Sequence, residues 1–228
     1  MRYKSTLVAV GSGSIGGTTF SHNAGGAYIR NRTTPTDPST NAQQSIRGIV
    51  ASLVNLWVDT LTAIQRAAWD TYAGNVPLND VFGDPRFRTG LNHYVRSNVP
   101  RMQVGKGRID AAPTVFDLGE YTNPGLTITS ATNKFNITFG DTDDWVSEDD
   151  SCMLLWGSQP KNPSINFFKG PWKAMNPISG NSITPETSPY EVGVPYPYVT
   201  GQKGFMRARV SRADGRLSPP FLIGVVAT

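Results

Sequence analysis

The hydrophobic period of this chain changes once along its length, and that change sets the fold class. Ile46, Ile49, Val50, Leu53, Leu56, Trp57 and Leu61 fall three and four apart, the spacing that lines one face of a helix. Beyond residue 115 the period becomes two. Leu126–Ser130, Lys134–Phe139 and Lys203–Ser211 alternate, while Ser151–Trp156 and Phe221–Ala227 are continuous apolar runs. Helices gathered first and strands second, with no strand–helix–strand alternation, predict an α+β chain whose sheet part is antiparallel.

Local signals place the elements. Thr40-Asn-Ala-Gln43 and Thr62-Ala-Ile-Gln65 are capping boxes, in which threonine and glutamine satisfy each other's orphan backbone amides. They predict one helix over about residues 40–59 and a second carrying Ile64, Ala68, Trp69 and Tyr72, closed by Gly74. The very short link between them predicts a hairpin or a sharply bent pair. A third helix is expected from Arg88 to Asn98, with Leu91, Tyr94 and Val95 inward and Pro100 as its stop. Ile165–Phe168 and Tyr190–Val194 complete about seven short strands. With Gly- and Pro-rich turns between them, these read as an antiparallel β-sandwich. The expected organisation is a glycine-rich extended arm (1–37), a small helical unit (38–104), a linker (105–115) and a sandwich (116–228).

The arm poses a functional question. Gly11, Gly13 and Gly16 match the dinucleotide-binding spacing G-x-G-x-x-G, following Thr6–Val10, which reads as a strand. That motif works only when a helix opens at the third glycine and turns its amides on the pyrophosphate. Here Gly-Thr-Thr-Phe-Ser-His-Asn-Ala-Gly-Gly follows Gly16, and the acidic residue at the expected distance, Asp37, sits between Pro35 and Pro38. No cofactor is expected. Ala27–Arg30 reads as a second strand, and Phe20, Tyr28 and Ile29 are too few to form a core alone, so the arm is expected to lie against something else.

Composition closes other classes. Residues 1–110 carry 12 Lys and Arg against 6 Asp and Glu, and residues 111–228 carry 9 against 11. The basic residues are scattered, so a solvated face is expected rather than a nucleic-acid site. Cys152 is the single cysteine, which leaves no intrachain disulfide or cysteine-based metal site. No run reaches the length of a membrane span, and no secretory signal is visible. The sequons at Asn31 and Asn136 are expected to be chance matches. Asp141–Asp150 holds six carboxylates in ten residues, but Val146 and Cys152 stand where an EF-hand loop needs glycine and glutamate. A solvated acidic loop is the expectation, and no metal site is assigned. His22 and His93 lie in no catalytic motif, so no enzyme activity is expected; His93 is expected to face solvent or a partner. Trp172, Tyr196 and Tyr198 are candidates for an exposed ligand surface, for sugars or for a protein partner.

Two stretches resemble known families. Gly204–Pro219 resembles the end of a fibronectin type III domain, where an alternating strand meets a small turn and a Gly-x-x-Ser-x-Pro exit. The first hundred residues resemble structural proteins of tailed-bacteriophage particles, through Gly16-Gly-Thr-Thr-Phe-Ser, Gly25–Arg30, Thr34–Pro38, Asn41–Arg47 and Leu61–Asp70. This second resemblance implies a virion component made in the bacterial cytoplasm, capsid-associated, decorating, head–tail or tail. Its partners would be other virion proteins and copies of itself. Phe20, Tyr28, Ile29, Arg30, Arg32 and His93 are the expected subunit contacts. The alternative reading is a carbohydrate- or receptor-binding module carried by the sandwich.

Overall fold

A computed structural model describes residues 11–33, 36–80 and 82–228. The expected strand Thr6–Val10, and Pro35 of the proline-flanked turn, lie outside them. The described chain opens with a three-stranded antiparallel meander, β1 (Gly13–Ile15), β2 (Thr18–Asn23) and β3 (Gly26–Asn31), paired in that order. Gly16 and Gly17 join the first two strands, with Ile15 opposite Thr18. Gly16 has φ of 57°, left-handed backbone that glycine enters without a Cβ penalty. The nucleotide-like glycines therefore build a hairpin, and the chain leaves Gly16 into a strand where an anion site would need a helix.

Helix α1 (Asn41–Asp59) starts at Thr40 and α2 (Ala63–Asn75) at Thr62, each with its capping box closed in both directions. They are bent by 119°, and the Arg66 side chain closes the corner. Its Nη1 donates to the carbonyls of Trp57, Val58 and Leu61 at 3.1, 3.2 and 2.8 Å, a cation against the negative end of α1. Arg66→Ala is expected to lower stability by about 1–2 kcal/mol, read as a shift in urea midpoint. Gly74 does not close α2: it lies inside, and the helix ends where the Val76 amide donates to Tyr72. A minimal hairpin follows, β4 (Leu78–Asn79) with β5 (Pro85–Arg86).

Helix α3 (Gly90–Gln103) starts two residues later than expected, at a Thr89 cap, and runs through Pro100. The proline removes one amide from the ladder, but the next residue, Arg101, is only 2 % exposed and is tied down by its side chain. Gly90 is where α3 meets α2. A Cβ there would come within 2.6 Å of the Asp70 backbone nitrogen, while the Gly90 amide donates to Asp70 Oδ1 at 2.9 Å. Leu53, Leu61, Trp69, Tyr72 and Tyr94 fill the helical core. Segment 105–115, expected as a linker, is strapped to this unit. Asn98 brackets Ile109, accepting its amide and donating to its carbonyl at 2.7 and 3.0 Å, and the Trp69 indole donates to the Asp110 carbonyl at 3.0 Å.

The remaining strands are β6 (Gly125–Thr129), β7 (Lys134–Thr138), β8 (Cys152–Gly157), β9 (Lys173–Ala174), β10 (Ile178–Ser179), β11 (Tyr190–Gly193), β12 (Lys203–Ser211) and β13 (Phe221–Val226). They form two antiparallel sheets, a small one in the order β11-β7-β6 and a large one in the order β10-β8-β12-β13, with β9 on β8. Ile165–Phe168, expected as a strand, is loop instead. It lies in the connection between β8 and β9, a pairing of only two residues on each strand. The sheets face each other across one core, to which β6 and β7 give Ile128, Phe135 and Ile137 and the large sheet gives Met153, Leu155, Met206, Ala208 and Val210. The other face of β8 is also covered: Cys152, Leu154 and Trp156 pack with Leu217 and with Val104 at the end of α3. Burial on both faces is what a continuous apolar run encodes. The fold is thus α+β, with α3 laid over the outer face of the large sheet.

Candidate functional site

The residues expected to meet other subunits divide between two places. Phe20, Tyr28, Ile29, Arg30 and Arg32 come together on or beside the meander, half-buried or exposed. Strand alternation sorts them. Phe20 pairs with Ile29 and Ser21 with Tyr28, and Ile15 pairs with Thr18. Ile15, Phe20 and Ile29 therefore share one face, and Thr19, Ser21, Tyr28 and Arg30 the other. On that second face the Ser14 and Thr19 hydroxyls bond at 2.8 Å. Among the described residues the three strands pair only with one another. Ile15 is 77 % exposed, and neither it nor Phe20 belongs to a hydrophobic cluster among the described residues.

His93 is not with them, and the expectation that it faces solvent or a partner is wrong. It is fully buried, its ring edge-on to Tyr72 at 5.4 Å, and neither ring nitrogen has a hydrogen-bond partner among the described residues. Burial, with the Arg96 charge adding to it, pulls its pKa down to about 4. Tyr94 is inward as its spacing predicts, but the buried face of α3 is wider than the apolar residues mark and takes in the neighbouring His93.

The aromatic candidates also separate. Tyr198 is core, 3 % exposed, packed on Phe135 at 5.6 Å and donating its hydroxyl to the Ser158 carbonyl at 2.6 Å. Trp172 and Tyr196 stay partly exposed, within a face the sequence reading did not assemble. Lys173 Nζ sits 5.1 Å over the Tyr196 ring, and Trp172 is edge-on to Phe168 at 4.8 Å. Phe168 stacks on Phe205 at 5.6 Å, with Lys161 and Lys203 over those two rings at 5.4 and 5.6 Å. Arg207 lies over Trp156 at 4.5 Å and Trp172 at 5.6 Å. Each such cation–ring contact contributes of order 0.5–2 kcal/mol. Two signals could have found this face: no carboxylate stands between Asp150 and Glu186, and Lys203, Phe205, Arg207 and Arg209 share one side of an alternating strand.

The acidic stretch is more than a solvated loop. Asp143 accepts the Thr122 amide and hydroxyl at 2.8 and 2.9 Å, Asp149 those of Ser182 at 2.8 and 2.8 Å, and Asp141 the Ser188 amide at 2.7 Å. Arg212 pairs with Glu148 at 2.5 Å and Asp144 at 3.3 Å. Five of the six carboxylates are thus engaged with other segments. Among the described residues no group of three or more His, Cys, Asp or Glu is placed to hold a metal ion. Nor is any single helix there long and apolar enough to cross a membrane.

No family model matches the chain, and neither does any curated protein. Among solved structures, a Fn3-like protein from Clostridium thermocellum is similar to it over 49 % of this chain and 96 % of that one, at 10 % identity and a TM-score of 0.29. That score is too low to carry an argument.

Proposed function

We propose that this chain is a non-enzymatic structural component of a phage particle, capsid-associated or at the head–tail junction, which holds neighbouring subunits through its N-terminal meander and helices. The observation that carries the reading is the meander itself. Three short strands that, among the described residues, pair only with each other and leave Ile15 and Phe20 outside every hydrophobic cluster have little apolar surface to hold them alone. They gain most by lying on another protein. The resemblance of the first hundred residues to tailed-phage structural proteins supplies the context, and other virion proteins and further copies of the chain are the partners. The two facing sheets, with Gly204–Pro219 forming β12, a tight turn and the exit into β13, are read as a fibronectin III-like or Ig-like sandwich borne on the assembly unit.

Deleting residues 5–34 should leave a folded, soluble protein that no longer enters particles in a complementation assay. Normal incorporation of the deletion would refute the assignment of the arm. The carbohydrate-platform alternative is less well served. A sugar needs an open aromatic face, and Arg207 lies over Trp172, Lys173 over Tyr196, while Tyr198 is buried.

A further inference from the structure

Three arginines converge on a groove between α3 and the outer face of β12. Arg96 comes from the helix and Arg207 and Arg209 from alternate positions of the strand. With Trp156 and Gln103 they line a hollow of ≈ 330 Å³. Alternate strand positions point the same way, so the period of two sets the last two guanidinium groups side by side. Their partners are few. Arg209 donates Nε and Nη2 to the Ser218 carbonyl at 2.9 and 2.6 Å, and Arg96 donates Nη2 to the Leu217 carbonyl at 3.1 Å. Arg207 Nε is buried and has no hydrogen-bond partner among the described residues. None of the three forms an ion pair with a described carboxylate.

Such a cluster is costly as it stands. Burial lowers the pKa of all three, and Arg209 feels Arg96 and Arg207 as further positive charges. Like charges held together and partly desolvated are stabilised by an anion among them. The guanidinium fork matches carboxylate and phosphate oxygens, and none of the three guanidinium groups has such a partner among the described residues. The Trp156 ring is already covered by Arg207, so a base or sugar finds no open face there; the groove offers charge.

We infer that this groove is an oxyanion-binding site, taking a carboxylate or phosphate group between the guanidinium groups of Arg96, Arg207 and Arg209 that line it. The inference uses no residue of the meander that carries the assembly reading, though Arg96 and Gln103 belong to α3, and anion binding by the isolated chain is read without any particle.

The test is a titration of the full chain followed by NMR of the arginine Nε–H groups. The probes are glutarate, inorganic phosphate and, at matched ionic strength, sodium chloride. A saturable shift of Arg207 Nε–H at roughly millimolar glutarate or phosphate is the expected result, and the arm that saturates identifies the source of the oxyanion. Drift identical to chloride in both arms overturns the proposal. Arg207→Gln should weaken binding about tenfold or more. Gln103→Glu, close in size and on the groove wall, covers the case in which that variant does not fold. Supplying a carboxylate in place should raise Tm and weaken the added anion about threefold or more. Unchanged affinity in a folded Gln103→Glu protein counts against the site.

Discussion

Replacing Arg101 with methionine should cost about 3–5 kcal/mol of stability, seen as a large drop in urea midpoint. The guanidinium is buried, and its donors reach three separate segments. Nε donates to the Gly107 carbonyl at 3.1 Å, Nη1 to Ser211 Oγ at 3.0 Å and Nη2 to the Asp150 carbonyl at 3.0 Å. These are the strap behind α3, the end of β12 and the end of the acidic turn. Methionine replaces the apolar stem but loses three charge-assisted hydrogen bonds that tie separate segments together, and it leaves the buried Ser211 hydroxyl without that donor, whereas the Gly107 and Asp150 carbonyls belong to exposed residues. Arg101→Lys keeps the charge but cannot span the fork, so it should recover less than half of the loss. A loss below about 1 kcal/mol in the methionine variant would show that the segments are held without the arginine.

His93 should make the protein acid-sensitive in a defined window. A histidine in the unfolded chain titrates near 6.5, and this one titrates at about 4 in the fold. Above the unfolded value the ring is neutral in both states and stability is whole. As pH falls toward the folded value, the unfolded chain takes up a proton that the folded chain refuses, and stability drains away. Below it both states are protonated and the loss is complete. Its full size is about 3 kcal/mol. The Asp37 and Asp149 carboxyls are held low, by Arg47 and by the Ser182 donors. They lose their contributions as pH falls below the ordinary carboxylate range, so the window has to be isolated by difference. His93→Leu, close in volume, should flatten the slope between pH 6.5 and about 4 relative to the natural chain. Equal slopes in the two proteins would show that the ring is not kept neutral by burial.

What could be read in the sequence was what neighbours along the chain decide. Thr40 with Gln43 and Thr62 with Gln65 announce two helix starts because both partners lie within one turn. Ser151–Trp156 announces a strand covered on both faces because its composition records that burial, though not what covers it. The misreadings lie where a distant residue decides. Pro100 is an ordinary stop signal, overruled by an arginine whose acceptors lie at Gly107, Ser211 and Asp150. His93 is turned inward because α2 packs across it through Tyr72, and Tyr198 because Phe135 and the Ser158 carbonyl receive it. The two-residue strands β9 and β10 have no period to detect; pairing with β8 alone makes them strands. The arginine groove was half legible, since alternation in β12 puts Arg207 and Arg209 on one side. Only the fold could bring Arg96 to them.

The doubly covered strand β8 has a consequence for how this chain can be inherited. A domain shuffled between genes must keep its solubility when cut out, with every apolar stripe sealed inside its own boundary. Here one side of β8 is sealed by the small sheet, while on the other Leu154 and Trp156 pack with Leu217, Trp172 and Ala174 of the sheet unit and also with Val104, which lies upstream of any cut at residues 105–115. Lifted out at that boundary, the two sheets would lose the Val104 part of that cover. A fragment cut at 105–115 is therefore expected to be less stable than one that keeps α3, and a gene fragment that travels with its helix would carry the full cover with it.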